Sequence, residues 1–149
     1  MRQLVAKIIL FLVILFLVDT ALGICFQTLV DSAKGGETRR VNYICKQTSE
    51  DLLIFGSSRA LHHYDPLLLE DSLQMSCYNC GKDGNGIILL YGWFKMIQQR
   101  YHPQMIVYDV MPNFDLWKGD NMAYLPGLRY YYGEPAVDSI FWSVDKNER

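Results

Sequence analysis

Two short runs in the middle of the chain, LLIF at 52–55 and MIVYDV at 105–110, do most to restrict its fold. Both read as strands of a parallel sheet, and LLIF as a short, fully buried one. Gly56 ends the first run and Met111-Pro112 follows the second. A third strand is expected at 75–79. Two helical stretches precede it: 59–64, and one that Asp65 caps and Pro66 opens, running to about Leu73. Gly81, Gly84 and Gly86 form a glycine-rich loop, and 87–101 reads as a helix closed by His102-Pro103. Strand, helix, strand, helix, strand in that order predicts an α/β domain, a parallel sheet with helices on its faces.

Ahead of this domain lies a segment unsuited to water. Arg2 and Lys7 precede or flank IILFLVILFLV at 8–18, and ALGICF carries the apolar stretch past Asp19-Thr20 to Phe26. Roughly 20 apolar residues span a bilayer core as helix. Residues 1–26 are therefore expected to be an uncleaved signal anchor, in preference to a cleaved signal peptide ending near Ala21-Leu22-Gly23 or a buried core helix. No lipobox is present, because Ile24 separates Gly23 from Cys25. The early basic residues predict a single-pass membrane protein with its N-terminus cytoplasmic and the rest extracytoplasmic. Residues 27–50, polar and containing Gly35-Gly36, are expected to be a flexible linker, with the folded domain at 51–149.

A formal charge of −2 over 149 residues gives no electrostatic reason to expect nucleic acid. An extracytoplasmic setting permits disulfides. Cys77 and Cys80, however, flank Tyr78-Asn79 within the expected strand and its exit, whereas a redox pair normally opens a helix. No second ligand pair is spaced for a metal. Small buried thiols are the preferred reading.

In an open α/β sheet, ligands bind beyond the carboxyl ends of the strands. Three segments converge there: Gly56-Ser57-Ser58, the loop 79–86, and Pro112-Asn113-Phe114-Asp115. A serine at a strand-to-helix turn projects its hydroxyl at the sheet edge, where nearby amides can stabilise an oxyanion. A glycine amide allows close approach, and an asparagine amide can complete the set. Each has a plainer alternative: Gly-Ser-Ser is a common loop tripeptide, Gly84 suits a turn needing positive φ, and Asn113 suits an Asx-turn.

Over about residues 51–115 this pattern resembles the SGNH (GDSL-like) hydrolase superfamily. Its first block, usually Gly-Asp-Ser, stands here as Gly56-Ser57-Ser58. Its second is carried by NCGKDGNG and its third by MPNFD, in which Pro112 and Phe114 depart from the usual Gly-x-Asn-Asp. The resemblance implies Ser58 as nucleophile and Gly84 and Asn113 as oxyanion donors. It also implies a partial SGNH-like, flavodoxin-like three-layer domain. FGSSR behind an anchor is similar to envelope members, among them the D-alanyl transfer protein of teichoic acid synthesis and acetyltransferase-like proteins of exopolysaccharide O-acetylation. The implied function is a membrane-anchored serine esterase or O-acyltransferase acting on an acylated envelope glycan or glycoconjugate. The implied partners are membrane lipid, through the anchor, and a membrane-bound O-acyltransferase. No metal, cofactor or nucleic acid is implied.

The superfamily takes its base from an Asp-x-x-His block near its C-terminus, and no such arrangement follows Asn113. His62 shares a helical face with Ser58, but the preferred reading has His62 and His63 lining or capping the site without taking protons. His102 is expected at the opposite end of the sheet. Asp115, Trp117 and Arg129 in the aromatic tail are weaker candidates for substrate contact. The missing block motivates a second hypothesis, a non-catalytic envelope protein that binds a glycan or partner. Three strands against the roughly five the resembling fold needs lead to the expectation that the chain is the N-terminal part of a longer protein.

Overall fold

The computed structural model describes residues 2–116 and 118–144, the side chains of Asn113, Phe114, Lys118 and Asp120 excepted. The chain divides into two compact units, Met1–Asn42 and Tyr43–Arg149.

The first unit is dominated by α1 (Arg2–Asp31), a continuous helix of 30 residues. At about 1.5 Å per residue it is about 45 Å long, more than a bilayer core of about 30 Å requires. It buries none of its residues, and its length and composition suit a membrane span. The two threonines within it are satisfied by the helix: Thr20 and Thr28 hydroxyls each donate to the carbonyl one turn earlier, at 2.8 Å. That internal satisfaction is what a helix in lipid needs.

The flexible linker expected at 27–50 is mostly helical. The first helix continues to Asp31, and α2 follows at Gly36–Lys46. Three local features support this. Glu37 in the first turn and Lys46 in the last complement the helix dipole. Glu37 pairs with Arg40. The Asn42 amide donates to the Val30 carbonyl at 2.7 Å, fixing the turn between the helices. A fourth is distant in sequence. Arg100 donates to the carbonyls of Ile44, Cys45 and Thr48, covering the end of α2. The compact unit thus begins at Tyr43, not Asp51.

Within the second unit the expected alternation is present. β1 (Leu52–Gly56), α3 (Ser58–His63), α4 (Pro66–Leu73), β2 (Cys77–Asn79), α5 (Ile87–Gln98) and β3 (Met105–Asp109) follow in order. All strand pairs are parallel and the sheet order is β2-β1-β3, with Ile54 opposite both Asn79 and Val107. β1 is central and buried along its whole length. Successive side chains leave opposite faces of a strand. Leu52 and Ile54 pack with Ala60 of α3 and Leu69 of α4. Phe55, on the other face, meets Phe94 of α5 edge-on at 6.1 Å. The result is three layers.

The tail is helical: α6 (Pro112–Asp115), α7 (Lys118–Asn121), α8 (Tyr124–Leu128), a 3-10 turn at Arg129–Tyr131 and α9 (Pro135–Val144). Its aromatic and aliphatic residues pack on α5. Gly92 of α5 and Gly127 of α8 permit this, since a Cβ at either would lie 2.5–2.6 Å from the facing Leu128 or Leu89. β3 keeps one edge without a strand neighbour among the described residues, and Met105 and Ile106 are exposed.

Candidate active site

With strand order β2-β1-β3, the carboxyl ends of β1 and β3 lie side by side, the position at which open α/β sheets bind ligands. The turn Gly56-Ser57-Ser58 stands at the carboxyl end of β1. Gly56 is required by the backbone: its φ is +149°, and a Cβ there would lie 2.7 Å from the Ala60 Cβ and 3.0 Å from Asp109. α3 can pack this closely against the sheet only without that atom.

The two serines differ in what they can do. Ser57 is 2 % exposed and its hydroxyl donates to the Met111 sulfur at 3.6 Å. Ser58, the first residue of α3, is half-buried. Of the pair, Ser58 is the one a substrate can reach.

Two polar clamps hold α3 from its two sides. On the β3 side, Arg59 donates to both carboxylate oxygens of Asp109, with Nε to Oδ2 at 2.7 Å, and to the Val110 carbonyl at 3.0 Å. The guanidinium holds the Asp109 carboxyl below the usual carboxylate range. On the β2 side, buried Asn79 donates to the carbonyls of Ala60 at 2.7 Å and Tyr64 at 3.0 Å. Its Oδ1 accepts from the Gly81 amide at 2.9 Å. Neither clamp was singled out from the sequence, although Arg59 directly after the serines and Asp109 at a strand end were signals.

The loop after β2 runs on alongside β1. The Cys80 amide donates to the Ile54 carbonyl at 2.7 Å, and that of Lys82 to Gly56 at 2.9 Å. Gly81 lies against the α3 backbone, where a Cβ would be 2.6 Å from the Leu61 nitrogen. Gly84 has φ of +65° and open space on its Cβ side, which fits a turn glycine. The glycine pressed against the candidate nucleophile's helix is therefore Gly81, three residues before the one the sequence pattern selected. Asn113 is the second residue of α6, and its side chain lies outside the described residues.

The remaining residues sort as follows. His63 Nδ1 donates to the Arg59 carbonyl at 3.1 Å. His62 Nε2 faces the carboxylate of Asp83, at 3.0 Å and 3.3 Å. His102 precedes β3, at the other end of the strands. Asp115 is buried and caps α6, accepting from the Met111 amide at 2.8 Å and the Tyr108 hydroxyl at 2.5 Å. Tyr108 is thereby held protonated well above the usual phenol range, by burial first and by Asp115 second. Arg129 is exposed in the 3-10 turn, and Trp117 lies outside the described residues. Cys45, Cys77 and Cys80 are buried, as the small-thiol reading expects. No group of metal-ligating side chains occurs among the described residues. Comparison with family models, with curated proteins and with solved structures yields no match.

Proposed function

We propose that the chain is a membrane-anchored serine esterase or O-acyltransferase of SGNH-like type, with Ser58 as nucleophile. The observation that carries the reading is the placement of Ser58. It stands half-buried at the carboxyl end of β1, while its neighbour Ser57 is buried. Attack of its oxygen on an ester carbonyl forms an acyl-enzyme, and water or a sugar hydroxyl then takes the acyl group. The resemblance supplies the substrate class, an acylated envelope glycan, and the oxyanion roles of Gly84 and Asn113. A membrane-bound O-acyltransferase is the partner proposed to supply or receive acyl groups.

A fluorophosphonate probe is expected to label Ser58 in the full chain, and Ser58→Ala to abolish that labelling. Labelling that survives the substitution refutes the assignment. The anchor is proposed to place the domain outside the cytoplasm. Protease added to spheroplasts then digests 43–149, and protection of that unit reverses the topology.

A second reading, a non-catalytic glycan-binding protein, is favoured by one observation. Ser58 Oγ has no hydrogen-bonded base among the described residues. It predicts glycan association without turnover of aryl acetates or acyl-glycans.

A further inference from the structure

We propose that His62, held by Asp83, is the general base for Ser58. This deepens the esterase reading and rests on Ser58 being the nucleophile.

Ser58 and His62 are one helical turn apart on α3, so their side chains share a face about 5–6 Å apart at Cβ. Helical side chains lean toward the helix N-terminus, the direction in which Ser58 lies from His62. Asp83 reaches the same place from another segment. The Lys82–Gly56 backbone bond and the packing of Gly81 on Leu61 bring its loop against the nucleophile turn. Asn85 fixes the loop beyond it by donating to the Asp83 carbonyl at 2.7 Å.

The contact at Nε2 decides the tautomer. A carboxylate only accepts, so Nε2 carries the hydrogen when the ring is neutral. The basic lone pair then resides on Nδ1, the ring nitrogen nearer the helix backbone. In the reaction, Ser58 Oγ–H gives its proton to Nδ1 as Oγ bonds to the ester carbonyl carbon. Asp83 stabilises the imidazolium. Collapse of the tetrahedral species breaks the bond to the leaving alcohol oxygen, which takes the proton from Nδ1. The same sequence with water or a sugar hydroxyl as attacking group releases the acyl chain. Catalytic hydrogen bonds are often long before substrate binds, so the open Ser58–His62 geometry suits an unliganded site.

The test is the second-order rate of fluorophosphonate labelling of Ser58, followed by mass spectrometry between pH 5 and about 9, on the full chain in detergent. The groups that bear on the profile are Asp83 and Lys82 from the loop, and Arg59, His63 and Tyr64 around the helix. In the parent chain the rate rises with pH as the base loses its proton. His62→Gln lowers it about 10²–10⁴-fold and removes that rise. Asp83→Asn lowers it by about 10–100-fold, as loss of an orienting partner does. His102→Gln, at the opposite end of the strands, leaves rate and profile unchanged. His62 and Asp83 are exposed, with 60 % and 56 % of their side chains accessible, so these variants keep the fold. A labelled parent whose rate and profile survive His62→Gln overturns the base and leaves Ser58 standing. A folded parent that is never labelled overturns both.

Discussion

Replacing Asn79 with alanine tests whether the β2-side clamp holds the site together. The side chain makes two well-formed donor bonds, to Ala60 and Tyr64, and accepts one from Gly81. At a net ~1 kcal/mol for each bond, their loss costs about 3 kcal/mol. All three tryptophans lie in the unit Tyr43–Arg149, and Trp93 is fully buried. Urea unfolding of the full chain in detergent, followed by tryptophan fluorescence, therefore reports this unit. The midpoint should fall with the slope unchanged. Asn79→Asp keeps the acceptor but sets a carboxylate against two carbonyl oxygens. Its pKa is raised in the folded state, so its stability is best in acid and is lost as pH rises. A cost below about 1 kcal/mol for Asn79→Ala would refute the clamp.

Three further outcomes are expected. Gly56→Ala combines backbone strain at φ +149° with a Cβ 2.7 Å from Ala60, and should cost about 2–5 kcal/mol in the same assay; a loss under about 1 kcal/mol contradicts the packing. Asp109 titrates below its ordinary value because of Arg59, so the ion pair stabilises fully above the unfolded value of about 3.9 and is lost as pH falls through the folded value. Acid unfolding curves should thus converge for parent and Arg59→Met as pH drops, and a constant offset would refute the pairing. Burial pushes the Cys45 thiol up to about 12 and also raises that of Cys77. Ellman's reagent should leave Cys45, Cys77 and Cys80 unmodified until denaturant is added, and their rapid modification in the native chain would contradict the core.

What was legible in the sequence was local. Asp65-Pro66 announced a helix start, and the Asp65 carboxylate does accept from the Leu67 amide at 3.0 Å. The central strand β1 was legible because burial on both faces leaves an apolar run. The helix at 36–46 was not, since its sequence is polar and its end is covered by Arg100, more than 50 residues away. The same holds at the candidate site. Ser58, inside a short pattern, was visible. The Arg59–Asp109 pair spans 50 residues and the His62–Asp83 pair 21, and only the packing of α3 and its neighbouring loop on the sheet brings each together. Gly84 stood out by its place in a motif, whereas the close approach of Gly81 becomes evident only when α3 is packed.

The clamps around α3 also bear on why the helix exists. Six residues are far below the roughly 12–15 at which an isolated helix becomes marginal in water, so tertiary contacts must hold it. They come from three directions: Asn79 beside β2, Arg59–Asp109 beside β3, and Gly56 beneath Ala60. A helix that merely covered the sheet would need its apolar face alone, and Ala60 is its one fully buried side chain. The polar clamps instead fix the position and rotation of the helix. That matters if Ser58 and His62 work as a pair, because a catalytic constellation has to be held within about 0.5 Å. The two roles separate by measurement. If the clamps serve stability alone, Asn79→Ala at a temperature where it remains folded labels at the parent rate. If they serve the site, labelling of Ser58 slows while the fold persists.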